Sequence, residues 1–203
     1  MGKIPRPEYQ FTELDPVLPC TPYKTHTNWH VIAGAPCSGK TTLINRLAQR
    51  GFHTVPEAAR LYLEKAMAGE HPEHPIRQDP VALQQTIEAL QLSLEAELPS
   101  DAFLVLDGAL PGCMSYARAY GVDPNAFLPD CFHHRYAAVF LLAPLPFCPD
   151  HERAEELVAV AGYLDEWQQR DYQALGYDVI RVPVLPVEER LAFILARLPL
   201  PPA

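Results

Sequence analysis

The sequence contains no run of about 18 apolar residues and no hydrophobic signal segment at its start, so nothing reads as a membrane-spanning or secretory element. Cysteine is scarce. The five present (Cys20, Cys37, Cys113, Cys131 and Cys148) are odd in number and widely spaced, and no C-x-x-C pair occurs. That excludes a small disulfide framework and predicts reduced thiols in a cytoplasmic protein. Positive charge is also short. A formal charge of −9 removes the electrostatic case for general nucleic-acid or anionic-membrane binding and confines any basic site to a local cleft. No internal repeat is visible. His71-x-x-His74 and His133-His134 lack a convincing third ligand nearby, so they read as surface histidines rather than a metal centre. Trp29 and Trp167 read as packing residues rather than base-stacking platforms.

What is present is an ordinary globular composition over 203 residues, 48% hydrophobic and 20% charged, long enough for one domain with a sizeable core. One stretch organises it. The apolar run Trp29 to Ala33 leads into Gly34-Ala35-Pro36-Cys37-Ser38-Gly39-Lys40-Thr41-Thr42, and Leu43, Ile44, Leu47 and Ala48 then fall on one helical face. The loop fits G-x-x-x-x-G-K-[ST], the phosphate-binding P-loop. Its glycines let backbone N–H groups converge on phosphate oxygens, and the following helix aims its positive end at the same anion. Lys40 would add a point charge on the outer phosphates, and the Thr41 hydroxyl would ligate Mg²⁺.

Strands are expected near residues 28–33, 52–55, 102–107, 136–142 and 177–182, alternating with helices. That alternation predicts a three-layer α/β fold with a parallel sheet and right-handed crossovers. Residues 1–26, rich in proline, read as an arm lying on the domain or partly disordered. Residues 27–198 read as the P-loop domain and 199–203 as a tail. Helices are expected from Glu57 to about Ala68, Val81 to Leu98, Pro111 to Tyr120, Pro124 to His133, and Glu152 to Leu175 with Gly162 as a candidate break. A last helix carries Val187, Leu191, Ile194, Leu195 and Leu198. On the helix from Val81, Leu83, Ile87, Leu90, Leu94 and Leu98 form an apolar stripe. Gln84, Glu88, Gln91 and Glu95 form a polar one beside it. A polar stripe suits either a solvated face or the wall of a cleft, and composition does not choose between them.

Phosphoryl transfer asks a protein chiefly for positioning and charge neutralisation. Asp107, at the end of a strand that should neighbour the P-loop strand, is the leading acid, as catalytic base or metal ligand. Arg153, after a proline-rich loop that could close as a lid over about residues 143–162, is the leading mobile cation. Glu57 and Arg60 face the same sheet edge, where a capping carboxylate and a solvated arginine fit equally well.

With these residues in view, the chain resembles the AAA-type P-loop ATPase family that includes the NadR kinase domain. The resemblance rests on the P-loop, on Pro56-Glu57-Ala58-Ala59-Arg60, and on the Gln84, Gln91, Glu95 helix. It continues with the strand ending in Asp107, Ser115-Tyr116-Ala117, Asp150 with Arg153, Gly176-Tyr177, and Val187-Glu188-Glu189-Arg190. It implies ATP or GTP with Mg²⁺, a kinase-like strand order 2-3-1-4-5, and Arg153 in a lid. It also turns Glu57 and Arg60 toward an acceptor, with Gln84 and Gln91 as further substrate contacts. Family members commonly read Asp-Arg-Gly after the third strand, whereas this chain reads Asp107-Gly108-Ala109, which removes a cation from the acceptor side. The expected function is Mg-dependent transfer of a γ-phosphate to a hydroxyl of a small, nucleoside-like acceptor. The alternative is a nucleotide-dependent switch that binds a partner and hydrolyses slowly. Neither the acceptor nor the oligomeric state, a homodimer included, is set by the sequence.

Overall fold

The computed structural model describes residues 12–16, 21–67, 79–146 and 154–199. In chain order the elements begin with β1 (Thr25–His26), β2 (Trp29–Ala33), α1 (Lys40–Gln49), β3 (Thr54–Val55), α2 (Ala58–Met67) and α3 (Pro80–Glu97). They continue with β4 (Leu104–Asp107), α4 (Leu110–Ala119), β5 (His134–Arg135), β6 (Ala138–Leu142), α5 (Ala154–Ala174), β7 (Val179–Val182) and α6 (Val187–Leu195). Five strands form one parallel sheet in the order β3-β4-β2-β6-β7. Counted along the chain this is 2-3-1-4-5, the kinase-like order. β1 and β5 pair separately in a short parallel ladder.

Alternation along β2 explains the layers. Trp29, Val31 and Ala33 join a core with Leu106, Met114, Phe132, Leu141 and Tyr172 on the face covered by α4 and α5. Ile32 enters the opposite core with Leu43, Leu47, Phe140, Leu191 and Ile194, under α1 and α6. A strand buried on both faces needs apolar residues at every position, which is why these strands read as unbroken runs. His30 is the exception, held against the Phe103 ring at 4.6 Å. Burial lowers its pKa and keeps it neutral there.

Two sequence expectations are corrected, and one left open by the sequence is settled. Residues 124–133 form not a helix but two short 3₁₀ turns, Pro124–Ala126 and Asp130–Phe132. Pro129 has no N–H to donate, and the Asp123 carboxylate accepts from Asn125 N. Phe127, Leu128, Cys131 and Phe132 are all buried, so the turns present one apolar face with a helix-like spacing. Gly162 does not break α5, which is continuous through it; buried Leu164 and Trp167 offset a penalty of about 1 kcal/mol for glycine in a helix. On α3, Leu90 is 41% exposed while Gln84, Gln91 and Glu95 are 5%, 4% and 1% exposed. The inward face therefore combines Leu83 and Ile87, also buried, with the polar stripe, while Leu90 turns to solvent. Glu95 accounts for this, because its carboxylate accepts from Gln91 Nε2 at 2.9 Å, from Leu110 N at 3.0 Å and from the Tyr136 hydroxyl at 2.8 Å. The bond from Leu110 satisfies a donor at the start of α4 that would otherwise be orphaned.

Arg118 of α4 is fully buried and donates twice to Asp171 of α5, at 2.6 and 2.7 Å, with its guanidinium 4.1 Å from the Trp167 ring. Its Nε donates to Thr12 O at 2.7 Å, tying the described part of the N-terminal arm to the domain. A buried pair of this kind is costly to break on one side, because the survivor keeps its charge without a partner. Asp171→Ala should therefore cost about 3–5 kcal/mol. Replacing both partners (Arg118→Met with Asp171→Leu) should recover most of that loss. Denaturant titrations of the two variants check it, and equal losses in both would contradict the stranded-charge account.

Candidate active site at the carboxyl edge of the sheet

The loop between β2 and α1 is shaped by its glycines. A Cβ on Gly34 would stand 2.6 Å from Ser38 Oγ and 3.1 Å from Leu142 Cβ, so no side chain fits there. Gly39 adopts φ 81°, in the left-handed region that glycine enters without penalty. Cys37 is the one described non-glycine residue with positive φ, at 61°. An exposed residue held in that region costs about 1–2 kcal/mol and is worth a functional explanation. α1 then starts with no side-chain cap and no acidic residue in its first turn. Its first N–H groups and positive dipole end are thus left without an internal partner, which is what an anion site requires.

Three elements bring charge to this point. Lys40 Nζ lies 2.8 Å from Glu57 Oε2, contributed by the β3–α2 junction, and 3.1 Å from Asp107 Oδ1, the last residue of β4. Asp107 is there because β4 pairs directly with β2, aligning Asp107 with Ile32 just before the loop. Arg60 of α2 reaches Asp107 Oδ2 at 3.6 Å and donates to the Thr41 hydroxyl at 2.5 Å. Burial disfavours the Lys40 charge, but the carboxylates of Glu57 and Asp107 outweigh it and hold its pKa above the ordinary lysine value.

Arg190 of α6 supports the loop from below. It is 2% exposed and donates to Ser38 O at 2.7 Å and to Ala143 O at 3.3 Å, joining the loop to the exit of β6. Its place in the Val187-Glu188-Glu189-Arg190 segment was visible in the sequence, but nothing there assigned it to the P-loop.

The loop opens on a cavity of about 760 Å³, within the range typical of small-molecule sites. Gly34 to Thr42 line it, as do Glu57, Arg60, Gln84 and Gln91. Gln84 and Gln91 of the polar stripe of α3 are thus cleft wall, together with Leu83 and Ile87 of its apolar stripe. Asp107, 2% exposed, does not line the cavity but sits behind Lys40. Gln168 and Tyr172 of α5 also line it, along with Cys113 and Tyr116 of α4; no motif in the sequence pointed to the two α5 residues. Arg153 and Asp150, His71 and His74, and the middle of the expected lid lie outside the described residues. His133 is 3.8 Å from Asp130, and His134 is 3.6 Å from Glu95 and packed on the Trp29 ring. Among the described residues no cluster of three or more His, Cys, Asp or Glu side chains is placed to hold a metal.

The family described as AAA domain matches residues 29–190. Among solved structures, thymidylate kinase from Ehrlichia chaffeensis aligns over 86% of this chain and 100% of its own, with TM-score 0.57 and 12% identity. Deoxyadenosine kinase from M. mycoides aligns over 84% and 97%, with TM-score 0.57 and 16% identity. The NadR protein, solved in complex with NR, aligns over 85% of this chain and 50% of its own, with TM-score 0.59 and 17% identity. This chain therefore spans about half of that NadR chain. At these identities the likeness is one of fold, the P-loop kinase fold. No curated protein matches the sequence.

The ion pairs around Lys40 make a testable chemical difference. Removing the Glu57 charge leaves Asp107 alone to oppose burial, which lowers the Lys40 pKa, raises the fraction of free amine and loosens its clamp. Glu57→Gln should therefore acylate several-fold faster at Lys40 in a mass-spectrometric labelling course at mildly alkaline pH. An unchanged rate would mean that Glu57 does not restrain the lysine.

Proposed function

This chain belongs to the AAA domain family, and on that premise we propose that it is a P-loop phosphotransferase, moving the γ-phosphate of ATP or GTP to a hydroxyl of a small, nucleoside-like acceptor. One observation carries the reading. The uncapped start of α1 and the Lys40 ammonium, flanked by two carboxylates from neighbouring elements, open on a cavity with room for more than a phosphate chain. A protein that only held a triphosphate would have no use for the wall that α3, α4 and α5 build opposite the loop.

In this reading the segment Gly34 to Thr42 cradles the β- and γ-phosphates through its backbone N–H groups, Pro36 having none, and Lys40 exchanges Glu57 for phosphate oxygen. Thr41 and Asp107 suit magnesium. Thr41 is an exposed residue whose hydroxyl now accepts from Arg60, and among the described residues Asp107 Oδ1 has no hydrogen-bond partner beyond the lysine contact. Mg²⁺ commonly takes one or two protein oxygens and completes its shell with phosphates and water. When bound it would neutralise charge on the phosphates. Once Lys40 has turned from Asp107 to phosphate, Asp107 accepts the proton of the acceptor hydroxyl as the new O–P bond forms and the bond to the leaving diphosphate breaks. Glu57 and Arg60, freed from their present partners, orient the acceptor with Gln84 and Gln91. Arg153, in a lid over about residues 143–162, supplies the cation over the transferred group. The proposed catalytic unit is residues 27–198, between the arm (1–26) and the tail (199–203). Among the described residues no helix is long and apolar enough to cross a membrane, and the proposed setting is the cytoplasm.

Lys40→Ala should abolish transfer and weaken triphosphate binding. Asp107→Asn should keep binding and lose transfer by about 10²–10⁴-fold, the contribution of a positioned base. Calorimetry with a non-hydrolysable triphosphate and tracing of labelled γ-phosphate separate the two effects. Label appearing only as free phosphate, whatever acceptor is offered, would favour the switch reading instead, and full transfer by Asp107→Asn would remove its role as base.

A further inference from the structure

One hydrogen bond beneath the P-loop does more than hold the backbone. Arg190 Nη1 donates to Ser38 O at 2.7 Å, and that carbonyl shares its peptide unit with the Gly39 N–H. The peptide is trans, so its C=O and N–H bonds point in opposite directions. Drawing the carbonyl toward Arg190 therefore turns the Gly39 N–H the other way. Gly39 lines the cavity and Arg190 does not, so the other way is the open side of the loop. Among the described residues the Gly39 N–H meets no acceptor. The contact is close: a Cβ on Gly39 would stand 3.3 Å from Arg190 Nη1. Nη2 donates to Ala143 O at 3.3 Å, which anchors the guanidinium to the exit of β6 and keeps it under this turn.

The charge of Arg190 is the unusual part. Arg190 is 2% exposed, and among the described residues no carboxylate pairs with it. Arg118, equally buried, is matched by Asp171. The acids nearest the loop are already engaged, Glu57 by Lys40 and Asp107 by Lys40 and Arg60. A buried charge without a counter-ion is costly. A neutral donor at position 190 would hold the two carbonyls without that cost. The chain instead keeps a cation against the floor of a loop built to take an anion.

We propose that Arg190 is a positioning residue for the bound triphosphate: its charge, relayed through the Ser38–Gly39 peptide unit, fixes the Gly39 N–H as a strengthened donor to a phosphate oxygen, and that phosphate is the counter-ion the guanidinium lacks. A cation on the carbonyl polarises the peptide and strengthens the N–H at its other end, as linked hydrogen bonds do. Donation to an ionised oxygen is in turn stronger than to a neutral one. The two bonds reinforce each other only while an anion occupies the loop. The inference rests on the triphosphate-binding half of the proposed function and is independent of whether phosphate is then transferred.

The test uses the full chain with non-hydrolysable analogues of ATP and GTP and Mg²⁺. Calorimetry reads affinity. The dipeptide Ser-Gly occurs once in the sequence, so labelling serine with ¹³C and glycine with ¹⁵N isolates the Gly39 amide by NMR. In the unaltered protein that amide proton should move downfield on triphosphate binding. Arg190→Met, and Arg190→Gln, which keeps a donor without the charge, should shrink the movement and weaken binding about tenfold to a hundredfold. Arg190→Lys, which keeps the charge, should bind several-fold more tightly than Arg190→Gln. A residue that only held the loop in shape would leave the Lys and Gln variants equal, and equality overturns the proposal. So does a Gly39 amide that does not move downfield in the unaltered protein, or moves as far in Arg190→Gln. Should the variants not fold, the resonance of the unaltered protein decides alone. Binding of neither analogue overturns this inference and the proposed function together. The expected pattern, with label from γ-phosphate released only as free phosphate, upholds Arg190 and overturns the transfer reading alone.

Discussion

The site depends on one end of one helix being left unfinished. A helix start exposes N–H groups that need acceptors, and most helices supply them with a capping side chain. α1 supplies none: glycine precedes it, and its first turn holds lysine and two threonines. The loop before it is too tight at Gly34 for any side chain, and Arg190 holds its backbone from beneath. The unsatisfied donors are thereby fixed in place and aimed outward, and the energy withheld from local capping remains available to an anion.

The charges around that opening form a closed set. Lys40 lies between Glu57 and Asp107, and Arg60 between Asp107 and Thr41. Two cations and two carboxylates balance one another, so in the proposed reading an arriving triphosphate would exchange partners with groups already in position instead of charging an empty cleft. This set comes from the sheet order. Because β4 lies between β2 and β3, the acid at its end and the Glu57 segment after β3 converge on the lysine that follows β2.

Buried polar groups divide the interior by purpose. Glu95 and the Arg118–Asp171 pair are saturated with partners and lock α3, α4 and α5 together. Among the described residues, Ser38 Oγ at the loop and Gln168 Oε1 and the Tyr172 hydroxyl of α5 are buried without hydrogen-bond partners. The first group makes the wall rigid. A rigid scaffold is what allows unsatisfied groups to persist, since a softer one would collapse to pair them.

Much of this was legible in the chain itself. Local patterns determined the P-loop, the three buried central strands and the parallel α/β class, because a strand covered on both faces and a glycine turn before a helix each require particular residues at particular spacings. Asp107, Glu57 and Arg60 were visible as candidates because each follows a strand that ends at the same edge. Patterns misled where different shapes share a spacing: Phe127, Leu128, Cys131 and Phe132 repeat as they would on a helix but sit on two short turns. Only the tertiary structure decided which stripe of α3 faces inward, that Arg190 reaches the loop from 152 positions away, and that Gln168 and Tyr172 share a cavity with Lys40. A polar residue reads the same in sequence whether its partner is water, a carbonyl from a distant element or nothing at all. That partner is chosen by how whole helices pack, and no local spacing records it.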